Sequence, residues 1–571
     1  MHGLTSSARD APSLPSPARP VSAVRVQGLT KQFVLPQEHV TTVKARFTRS
    51  AEARPDTSLT ALDDVTFEIR RGEFLGILGK NGSGKSTLLR CLAGIYVPDA
   101  GTVSVEGRLV PFIELGVGFD PQLPARDNAV QSAVLFGLER AEAEQRFDAM
   151  LDFAELRAFA GQKLKNYSSG MAARLAFAVA AHVDADILLC DEVLAVGDTG
   201  FRARCFEHFD RMRAEGKTVV LVTHDVNVVR ERCDRALLLH RGRLVEIGDP
   251  EQVADTYDRL SQEPLSEPAA PSTGGAPVRP AALSRALRAV GRGAATLASM
   301  LGTPSLLAPR QRRFATVTGM LASTDYKLKY LDAALSYAWA LLRPAVFFAV
   351  LFAVFGGLGR MNAGVEHYAA YLAVAVVLWT FFIQSTTSSI YAYRQRARLL
   401  RTLPLPRLAV PFATVLAASF DFAMNFAVVI AVFFLSGLTP TASWLELPLI
   451  VGAVALLTTG MSLLLSSLFV RHRDLDQLWG VTGQALFFLT PIFYVVTTVP
   501  EPFQRVIVLV NPLATALTEA RHALIDPGAP SAAAVAGGWP YLLVPVAITA
   551  ALVLLGAWTY RRESPKAAEL I

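Results

Sequence analysis

The pattern of hydrophobic and polar positions divides the chain into two unlike parts. Up to about residue 260, short apolar runs typical of strands alternate with mixed segments typical of helices. From about residue 337 to residue 560, the apolar runs approach the length that spans a membrane. Because 571 residues are too many for one hydrophobic core, the pattern predicts an α/β domain followed by an all-α membrane domain.

Six apolar runs in the second part fit membrane-spanning helices. Arginines cluster between the second and third runs, between the fourth and fifth, and after the sixth, whereas "TPTAS" between the third and fourth has no Lys or Arg. By the positive-inside rule, both termini and the first domain are predicted to be cytoplasmic, in a multi-pass protein of the cytoplasmic (inner) membrane. The runs are residues 337–358, 368–390, 408–437, 444–470, 478–498 and 540–560.

The segments outside these runs set the predicted domain boundaries. Residues 1–22 are rich in Ser, Pro and Ala and predict a disordered tail, and residues 23–260 form the α/β domain. Residues 261–308 read as a linker with a basic amphipathic segment, which lies on the anionic inner leaflet or is a solvated linker helix. Residues 309–336 are predicted as an interfacial helix and residues 337–562 as the six-span domain.

The net charge of +6 and the pI near 9.1 raise the question of a nucleic-acid partner. The arginines cluster beside the apolar runs, and no recognition fold accompanies them, so they indicate membrane topology and no nucleic-acid binding. The four cysteines, Cys91, Cys190, Cys205 and Cys233, lack metal-ligand spacing. They are predicted to be free thiols in a reducing cytoplasm.

The segment "GKNGSGKST" matches the phosphate-binding pattern G-x-x-x-x-G-K-[ST]. It follows the apolar strand "EFLGILG" and precedes a helical pattern, so backbone N–H groups and a helix N-terminus would surround the phosphates of ATP. Lys85 would pair with the terminal phosphates, and Ser86 would ligate Mg²⁺. The predicted phosphate-binding residues are Gly79, Asn81, Gly82, Gly84, Lys85, Ser86 and Thr87.

Two further segments predict ATP hydrolysis. "DILLCDE" is an apolar strand that ends in Asp191, predicted to hold Mg²⁺ through water, and in Glu192, predicted to be the general base. "LVTHD" then offers His224 toward the γ-phosphate. A buried strand ending in a charged turn is the alternative for "DILLCDE" alone, but the three motifs together favour an ATP hydrolase.

With these motifs in place, residues 24 to about 258 resemble the nucleotide-binding domain of ABC transporters. The resemblance implies a homodimer in which the signature segment of one subunit contacts ATP on the other. The signature here is "YSSGM", so Ser168, Ser169 and Gly170 would make this contact in trans. Asp198 would link the two sites. Phe33 would stack on adenine, although a core strand residue is the alternative.

Departures from the common pattern point to one branch of the family. The lid glutamine is missing, and the residue nearest its position is Glu114. "IELGVGF", "YSSGM" and "LLCDEVLAVGD" together resemble the ABC exporters of O-antigen, capsule and teichoic-acid polymers. The segment beginning "LASTDYKLKYLDAALSYAW" is similar to the start of the membrane subunit of the same exporters.

The resemblance implies ATP-driven export of a polysaccharide or of a glycan on a polyprenyl-diphosphate lipid, with membrane lipid as a further partner. Two alternatives remain open at the level of sequence. One is an exporter of lipids or drugs, and the other is an ATP-gated membrane regulator. The complete set Lys85, Asp191, Glu192 and His224 disfavours the regulator, which needs no hydrolytic base.

Three features of the membrane part carry further predictions. "YAYRQRARLLRTLPLPRL" resembles the coupling helix that docks on the ATPase, or is an ordinary positive-inside loop. Asp421 and Asn425 share a helix face and either face a polar groove or a partner, or make a satisfied interhelical hydrogen bond. The proline-broken stretch between residues 499 and 540 predicts short re-entrant helices, and the many span aromatics are glycan-stacking, lipid-facing or packing residues.

Overall fold

The structure, a computed structural model, describes residues 22–35, 57–191, 199–262, 309–330, 336–358 and 365–570. Its first domain contains two sheets, one of three antiparallel strands in the order β2-β1-β4 and one of six strands in the order β5-β6-β7-β3-β8-β9. The strands are β1 Ser22–Leu35, β2 Thr57–Arg70, β3 Phe74–Leu78, β4 Ala100–Val105, β5 Leu109–Phe112, β6 Ile187–Asp191, β7 Thr218–Val222, β8 Arg235–His240 and β9 Arg243–Gly248.

Strands β5, β6, β7, β3 and β8 run parallel, so their carboxyl ends meet at one edge of the larger sheet. The register pairs Val222 with Ile77 on one side and with Asp191 on the other. Parallel strands need cover on both faces, which explains why β3 and β7 are apolar and buried throughout. The edge where these strands end is where an open α/β sheet places its ligands.

Successive residues of the central strands point to opposite faces of the sheet and pack in two different cores. Leu188 and Leu221 pack on the side of the helices, whereas Leu189 and Val222 pack on the side of the antiparallel sheet. The helices of this domain are α1 Lys85–Leu92, α2 Ala125–Leu135, α3 Arg140–Ala154, α4 Ser169–Ala181, α5 Thr199–Ala214, α6 Val226–Arg232 and α7 Pro250–Gln262. The α/β class predicted for this part is therefore confirmed.

The second part of the described chain is helical. Four of its helical segments are long and apolar enough to cross a membrane: 368–395, 409–435, 442–469 and 539–564. The helices are α8 Pro309–Tyr330, α9 Ser336–Leu351 with a π-helical continuation Phe352–Leu358, α10 Tyr368–Gln395, α11 Ala397–Thr402, α12 Ala409–Leu435, α13 Leu447–Phe469, α14 Leu475–Leu489, α15 Glu501–Val510, α16 Pro512–Leu524, α17 Ala532–Ala536 and α18 Leu543–Leu570.

The predicted first and fifth spans differ from the structure in their extent. The first run forms the 16-residue helix α9 and then changes to π-helix. The prediction of one helix over residues 478–498 is wrong, because α14 ends at Leu489 and a short 3-10 turn, Val496–Thr498, follows separately. Pro491 has no N–H to continue the helical hydrogen bonds, and the pattern of apolar residues does not register this stop.

The stretch between residues 499 and 540 consists of short helices, as its prolines predicted. Asn511 separates α15 from α16, and its side chain accepts hydrogen bonds from the backbone N–H groups of Leu513 and Ala514 at 3.1 and 3.4 Å. The Asn511 amide also donates to Thr490 Oγ1 at 2.8 Å, which ties this break to the end of α14. The break at Asn511 therefore has hydrogen-bond partners on both sides.

Helix α8 connects the two parts of the molecule. Val317, Leu321 and Ala322 are buried in the core cluster that also holds α2 and α4 of the first domain. The helix ends at Tyr330, and residues 331–335 of the predicted interfacial segment lie outside the described residues. Much of the apolar face of α8 is thus covered by protein.

Candidate functional site

The loop between β3 and α1 has the conformation that its glycines permit. Gly82 and Gly84 adopt φ values of +80° and +104°, which disfavour any residue with a Cβ. A Cβ on Gly84 would also lie 2.5 Å from the carbonyl oxygen of Ala61. The loop therefore passes close to β2 before it enters helix α1.

The loop curls around the ammonium group of Lys85. Lys85 Nζ donates hydrogen bonds to the carbonyl oxygens of Gly79 at 2.5 Å and Lys80 at 3.1 Å, and the residue is 7% exposed. Ser83 Oγ is buried in the same loop and has no hydrogen-bond partner in the described part of the chain. Since buried polar atoms normally have partners, Ser83 and Lys85 fit a loop that binds an anion.

Ser86 and Asp191 come together at the sheet edge although 105 positions separate them. Ser86 Oγ donates to Asp191 Oδ2 at 3.2 Å. Two ligands of an octahedral Mg²⁺ lie roughly 3 Å apart, because each is about 2.1 Å from the ion. No group of three His, Cys, Asp or Glu residues in the described ranges could hold a metal alone, so Mg²⁺ here would need phosphate oxygens and water as well.

Of the predicted hydrolytic residues, the structure describes His224, which the end of β7 positions. His224 follows β7, which lies between β3 and β6, and its side chain is exposed. Just after it, Asp225 begins helix α6 by accepting a hydrogen bond from the N–H of Asn227 at 3.1 Å. Glu192 and Asp198 lie outside the described residues, so their predicted roles stay predictions.

The signature segment forms the exposed start of helix α4. Ser168 precedes the helix, and its hydroxyl accepts a hydrogen bond from the N–H of Met171 at 3.2 Å. Ser168 and Ser169 are exposed, whereas Met171 is partly buried against the core of the domain. Met171, which replaces the usual glutamine, therefore serves packing, and the serines and Gly170 remain accessible to a second molecule.

The Phe33 ring is half-buried on the antiparallel sheet. Its centroid lies 5.5 Å from that of Tyr96 in an edge-on arrangement, and Lys31 Nζ lies 5.4 Å from it. The ring thus packs on neighbours but keeps an uncovered part. Its predicted contact with adenine stays a prediction.

Glu114 lies at the same sheet edge, directly after β5, and binds the membrane part. Arg398 Nε donates to Glu114 Oε1 at 2.7 Å, and Arg398 Nη2 donates to the carbonyl oxygen of Leu115 at 3.0 Å. Leu399 of the same short helix α11 packs against the core of the first domain. The basic connection between the second and third spans therefore docks on the segment where the lid glutamine was expected.

Comparison with known proteins follows the same division into two parts. Residues 62–195 match the ABC transporter family, and residues 316–525 match the ABC-2 type transporter family of membrane domains. The O-antigen export system ATP-binding protein RfbB of Klebsiella pneumoniae is 42% identical over 197 residues, which are 34% of this chain and 80% of that protein. The chain belongs to the ABC transporter family.

Other relatives of this ABC transporter carry similar names. The ABC transporter protein AbcA of Aeromonas salmonicida is 42% identical over 200 residues, which are 35% of this chain and 65% of that protein. The teichoic acids export ATP-binding protein TagH of Bacillus anthracis is 35% identical over 237 residues, 42% of each chain. A solved dimeric ATP-binding cassette with ADP and phosphate is 25% identical, with a TM-score of 0.34, over 40% of this chain and 98% of that one.

Asp421 in the transporter's third predicted span is fully engaged in a polar network. Its carboxylate accepts hydrogen bonds from Tyr330 Oη at 2.6 Å, from Gln384 Nε2 at 2.9 Å and from Lys329 Nζ. Asn425 donates to the backbone carbonyl oxygen of Asp421 at 2.8 Å. The structure contains the satisfied interhelical contact that the sequence left open, and Asp421 and Asn425 also line a small cavity between α9, α10 and α12.

Some of the transporter's aromatic residues line a cleft of about 350 Å³ between α9, α10 and α14. Phe487 lines it, and its ring centroid lies 5.8 Å from that of Phe347 and 5.6 Å from that of Trp379. Tyr391 Oη donates to Asp476 Oδ2 at 3.0 Å on the same wall. The cleft thus combines aromatic faces with a small number of polar groups.

The predicted docking of the basic segment on the ATPase is confirmed, but the sequence did not single out Arg398, Tyr330 or Gln384 as contact residues. Arg398 belongs to the arginine cluster that explained topology, and nothing in that pattern distinguishes a docking arginine from its neighbours. Two more ion pairs join α8 to the ATPase domain, Lys327 with Asp127 at 3.1 Å and Arg312 with Glu139 at 2.8 Å. Opposite charges separated by more than 170 positions carry no local signal.

Proposed function

We propose that this ABC transporter uses ATP hydrolysis to export a polysaccharide or a lipid-linked glycan across the cytoplasmic membrane. The observation that carries the proposal is the sheet edge where Lys85 and the Ser86–Asp191 pair lie and where Arg398 docks on Glu114. A phosphate site and a membrane-domain contact at one edge support a link between nucleotide chemistry and movement of the spans. The ATPase domain and both termini would be cytoplasmic.

Each residue at this edge has one role in the proposed ATP hydrolysis. Lys85 binds the terminal phosphates, and Ser86 and Asp191 hold Mg²⁺, which when bound neutralises the charge that develops on the phosphates. Glu192 accepts a proton from the attacking water, and His224 contacts the γ-phosphate. β6 and β7 are adjacent strands, and in the sequence Glu192 follows the first and His224 the second.

A homodimer would complete each ATP site. The Ser168–Gly170 segment is accessible at the start of α4, where free backbone N–H groups and the helix dipole favour an anion. Contact with ATP on a second copy would satisfy these groups, so ATP would close two ATPase domains around two composite sites. This arrangement explains why the segment keeps small residues with a hydroxyl group although Met171 has lost the polar amide.

The closing movement would reach the membrane part through α11. Arg398 holds Glu114 and Leu115, which directly follow the strand beside Asp191. A shift of this strand end displaces α11 and with it the ends of α10 and α12. The glycan must bind the two resulting conformations with different affinities, because a ligand that binds both equally shifts nothing.

The substrate class rests on the aromatic cleft and on the names of the relatives. Sugar rings present C–H faces that pack on Phe and Trp. Carboxylate groups accept hydrogen bonds from sugar hydroxyls, and amide groups both accept and donate them. The cleft offers Phe347, Trp379 and Phe487 beside Asp476 and Gln484. The relatives are named for export of O-antigen and teichoic acids, so a glycan on a polyprenyl-diphosphate lipid is the proposed substrate.

The lipid-linked oligosaccharide profile of a strain that lacks the gene tests this proposal. We expect lipid-linked glycan to accumulate on the cytoplasmic side, and we expect wild-type protein but not the Lys85→Ala variant to reverse the accumulation. An unchanged glycolipid profile together with altered drug sensitivity would contradict the glycan proposal and favour an exporter of lipids or drugs.

A further inference from the structure

The last helix of the described chain ends inside the ATPase domain. Helix α18 begins with an apolar segment that is long enough to span a membrane and continues to Leu570. Ala568 is 2% exposed and belongs to the same packed cluster as Ile95 and Tyr96, which follow helix α1. The polar end of this helix is therefore part of the nucleotide-binding domain's core.

Lys31 is the buried cation at this contact. Its side chain is 3% exposed, and Nζ donates hydrogen bonds to Glu569 Oε1 at 2.8 Å and to the carbonyl oxygen of Val97 at 3.0 Å. Asp99 Oδ2 lies 3.3 Å from the same nitrogen. Burial lowers the pKa of Lys31, but the hydrogen bond and charge of Glu569, together with Asp99, outweigh it and raise the pKa above its usual value.

The ammonium group of Lys31 also faces the ring of Phe33. The distance from Lys31 Nζ to the Phe33 centroid is 5.4 Å, within the range of a cation–π contact. On another side, Tyr96 meets Phe33 edge-on at 5.5 Å, and the guanidinium of Arg90 lies 5.7 Å from the Tyr96 centroid. Phe33 is thus held by two residues that belong to the contact region of α18.

A residue of the connection between the second and third spans, Arg407, contacts both the ATPase domain and α18 in the same region. Arg407 Nη2 donates to the carbonyl oxygen of Ile95 at 2.9 Å, and Arg407 Nη1 donates to the carbonyl oxygen of Ser564 in α18. One guanidinium therefore bridges the ATPase domain and the last helix. This contact is separate from the Arg398–Glu114 contact on the phosphate side.

We propose that the end of α18 positions the adenine side of the ATP site. Glu569 acts through Lys31, which fixes Phe33. Glu569 and Lys31 are positioning residues, Phe33 contacts the base, and the phosphate chemistry is left to Lys85 and Glu192. The inference rests on the proposed function, because it takes Phe33 as the adenine contact. It adds that the last span and the affinity for the base are linked, and linkage of this kind acts equally in both directions.

The Glu569→Gln variant of the full-length protein in lipid nanodiscs tests this proposal. It keeps the side-chain size but removes the charge that neutralises Lys31. We expect the KM for ATP to rise about fivefold or more, as for a typical coupling between sites, while kcat at saturating ATP stays within about twofold. Glu569→Asp should restore part of the affinity. Glu68→Gln on β2 is the matched control, because Glu68 pairs with Arg25 at 3.3 Å in an exposed position.

Inorganic tripolyphosphate separates positioning of the base from a general disturbance. It occupies the phosphate loop without a base, so its inhibition constant should be the same in wild-type and Glu569→Gln protein. An unchanged KM for ATP, or equal weakening of ATP and tripolyphosphate, would overturn the proposal. If Glu569→Gln does not fold, the neutral pair Lys31→Met with Glu569→Leu supplies the same comparison, because removing both charges leaves none unpaired.

A different result would reveal failure of the proposed function itself. In that case the unmodified protein would show no ATP hydrolysis that depends on Lys85, whatever stands at position 569. Wild-type hydrolysis combined with wild-type behaviour of Glu569→Gln would overturn only the role of α18.

Discussion

The hydroxyl of Ser86 donates a hydrogen bond to Asp191 at 3.2 Å, which joins the first turn of α1 to the end of β6. The two residues are 105 positions apart, and the register that aligns β3, β7 and β6 brings them together. An oxygen pair with this spacing beside a buried lysine is suited to a magnesium–nucleotide complex.

Ser86→Ala tests the predicted magnesium site. Loss of the hydroxyl removes one of the two protein oxygens, so the Mg²⁺ concentration for half-maximal ATPase activity should rise at least about tenfold. Thr87→Ser, which keeps a hydroxyl at the next position, is the control. Identical magnesium titrations of Ser86→Ala and wild-type protein would show that Ser86 does not ligate the ion.

Arg398→Ala tests the docking of α11 on the ATPase domain. It removes the contacts with Glu114 and Leu115 but leaves the phosphate loop intact. We expect transport to fall several-fold while ATP hydrolysis changes by less than about twofold, because the Arg398–Glu114 pair is largely exposed and contributes little to stability. Arg401→Ala, an exposed arginine of the same helix, is the matched control. Unchanged transport per ATP hydrolysed in Arg398→Ala would argue against this route.

Asp421→Asn tests the network that joins α8 to the spans. The substitution replaces the carboxylate that accepts hydrogen bonds from Tyr330, Lys329 and Gln384 with an uncharged amide. The free energy of unfolding should therefore fall by about 1–3 kcal/mol. Thermal unfolding in detergent measures the change. Asn425→Leu should cost less, because Asn425 bonds to a backbone carbonyl one turn earlier in its own helix. A larger loss for Asn425→Leu than for Asp421→Asn would contradict the assigned role of Asp421.

His208 predicts acid sensitivity of the ATPase domain. Burial among Phe153, Phe177 and Phe209 lowers its pKa to about 4, and the positive charge of Arg211 acts in the same direction. The unfolded chain binds this proton near pH 6.5 but the folded domain only near pH 4. The contribution of neutral His208 to the free energy of unfolding is therefore fully present above pH 6.5. It is lost as the pH falls toward 4, by up to about 3 kcal/mol.

Unfolding of the ATPase domain measured across this pH range tests the role of His208. His208→Phe keeps an apolar ring at the site and removes the titrating group. We expect the loss of stability between pH 6.5 and pH 4 to become smaller in this variant. An equally steep loss would assign the acid sensitivity to other groups.

The phosphate site was predictable from the sequence because its signals are local. The glycines before Lys85 indicate a tight loop, and the apolar residues before Asp191 indicate a buried strand. The parallel order of the strands brings this loop and this strand end to one edge of the sheet. The family resemblance predicted that the basic segment docks on the ATPase, but the residue pairs that form the membrane contacts were not predictable. Arg398 and Glu114 are 284 positions apart, and Lys31 and Glu569 are 538 positions apart. Pairs of this kind are selected by packing of whole elements, and no spacing in the chain records them.

One expectation shows where the hydrophobic pattern misled. The apolar run 478–498 continues past Leu489, but Pro491 cannot donate to a helix and the chain turns there. Hydrophobicity described the environment of this run correctly, and the backbone determined where the helix ends.

The proposed function is that ATP hydrolysis at this edge moves a glycan outward. Its most direct test is an assay in proteoliposomes that contain the purified transporter and a fluorescent polyprenyl-diphosphate oligosaccharide. Wild-type protein should expose the glycan on the opposite leaflet only with ATP and Mg²⁺, and Glu192→Gln should bind ATP but neither hydrolyse it nor move the glycan. Robust ATP hydrolysis by Glu192→Gln, or wild-type hydrolysis without any movement of the glycan, would contradict the claim.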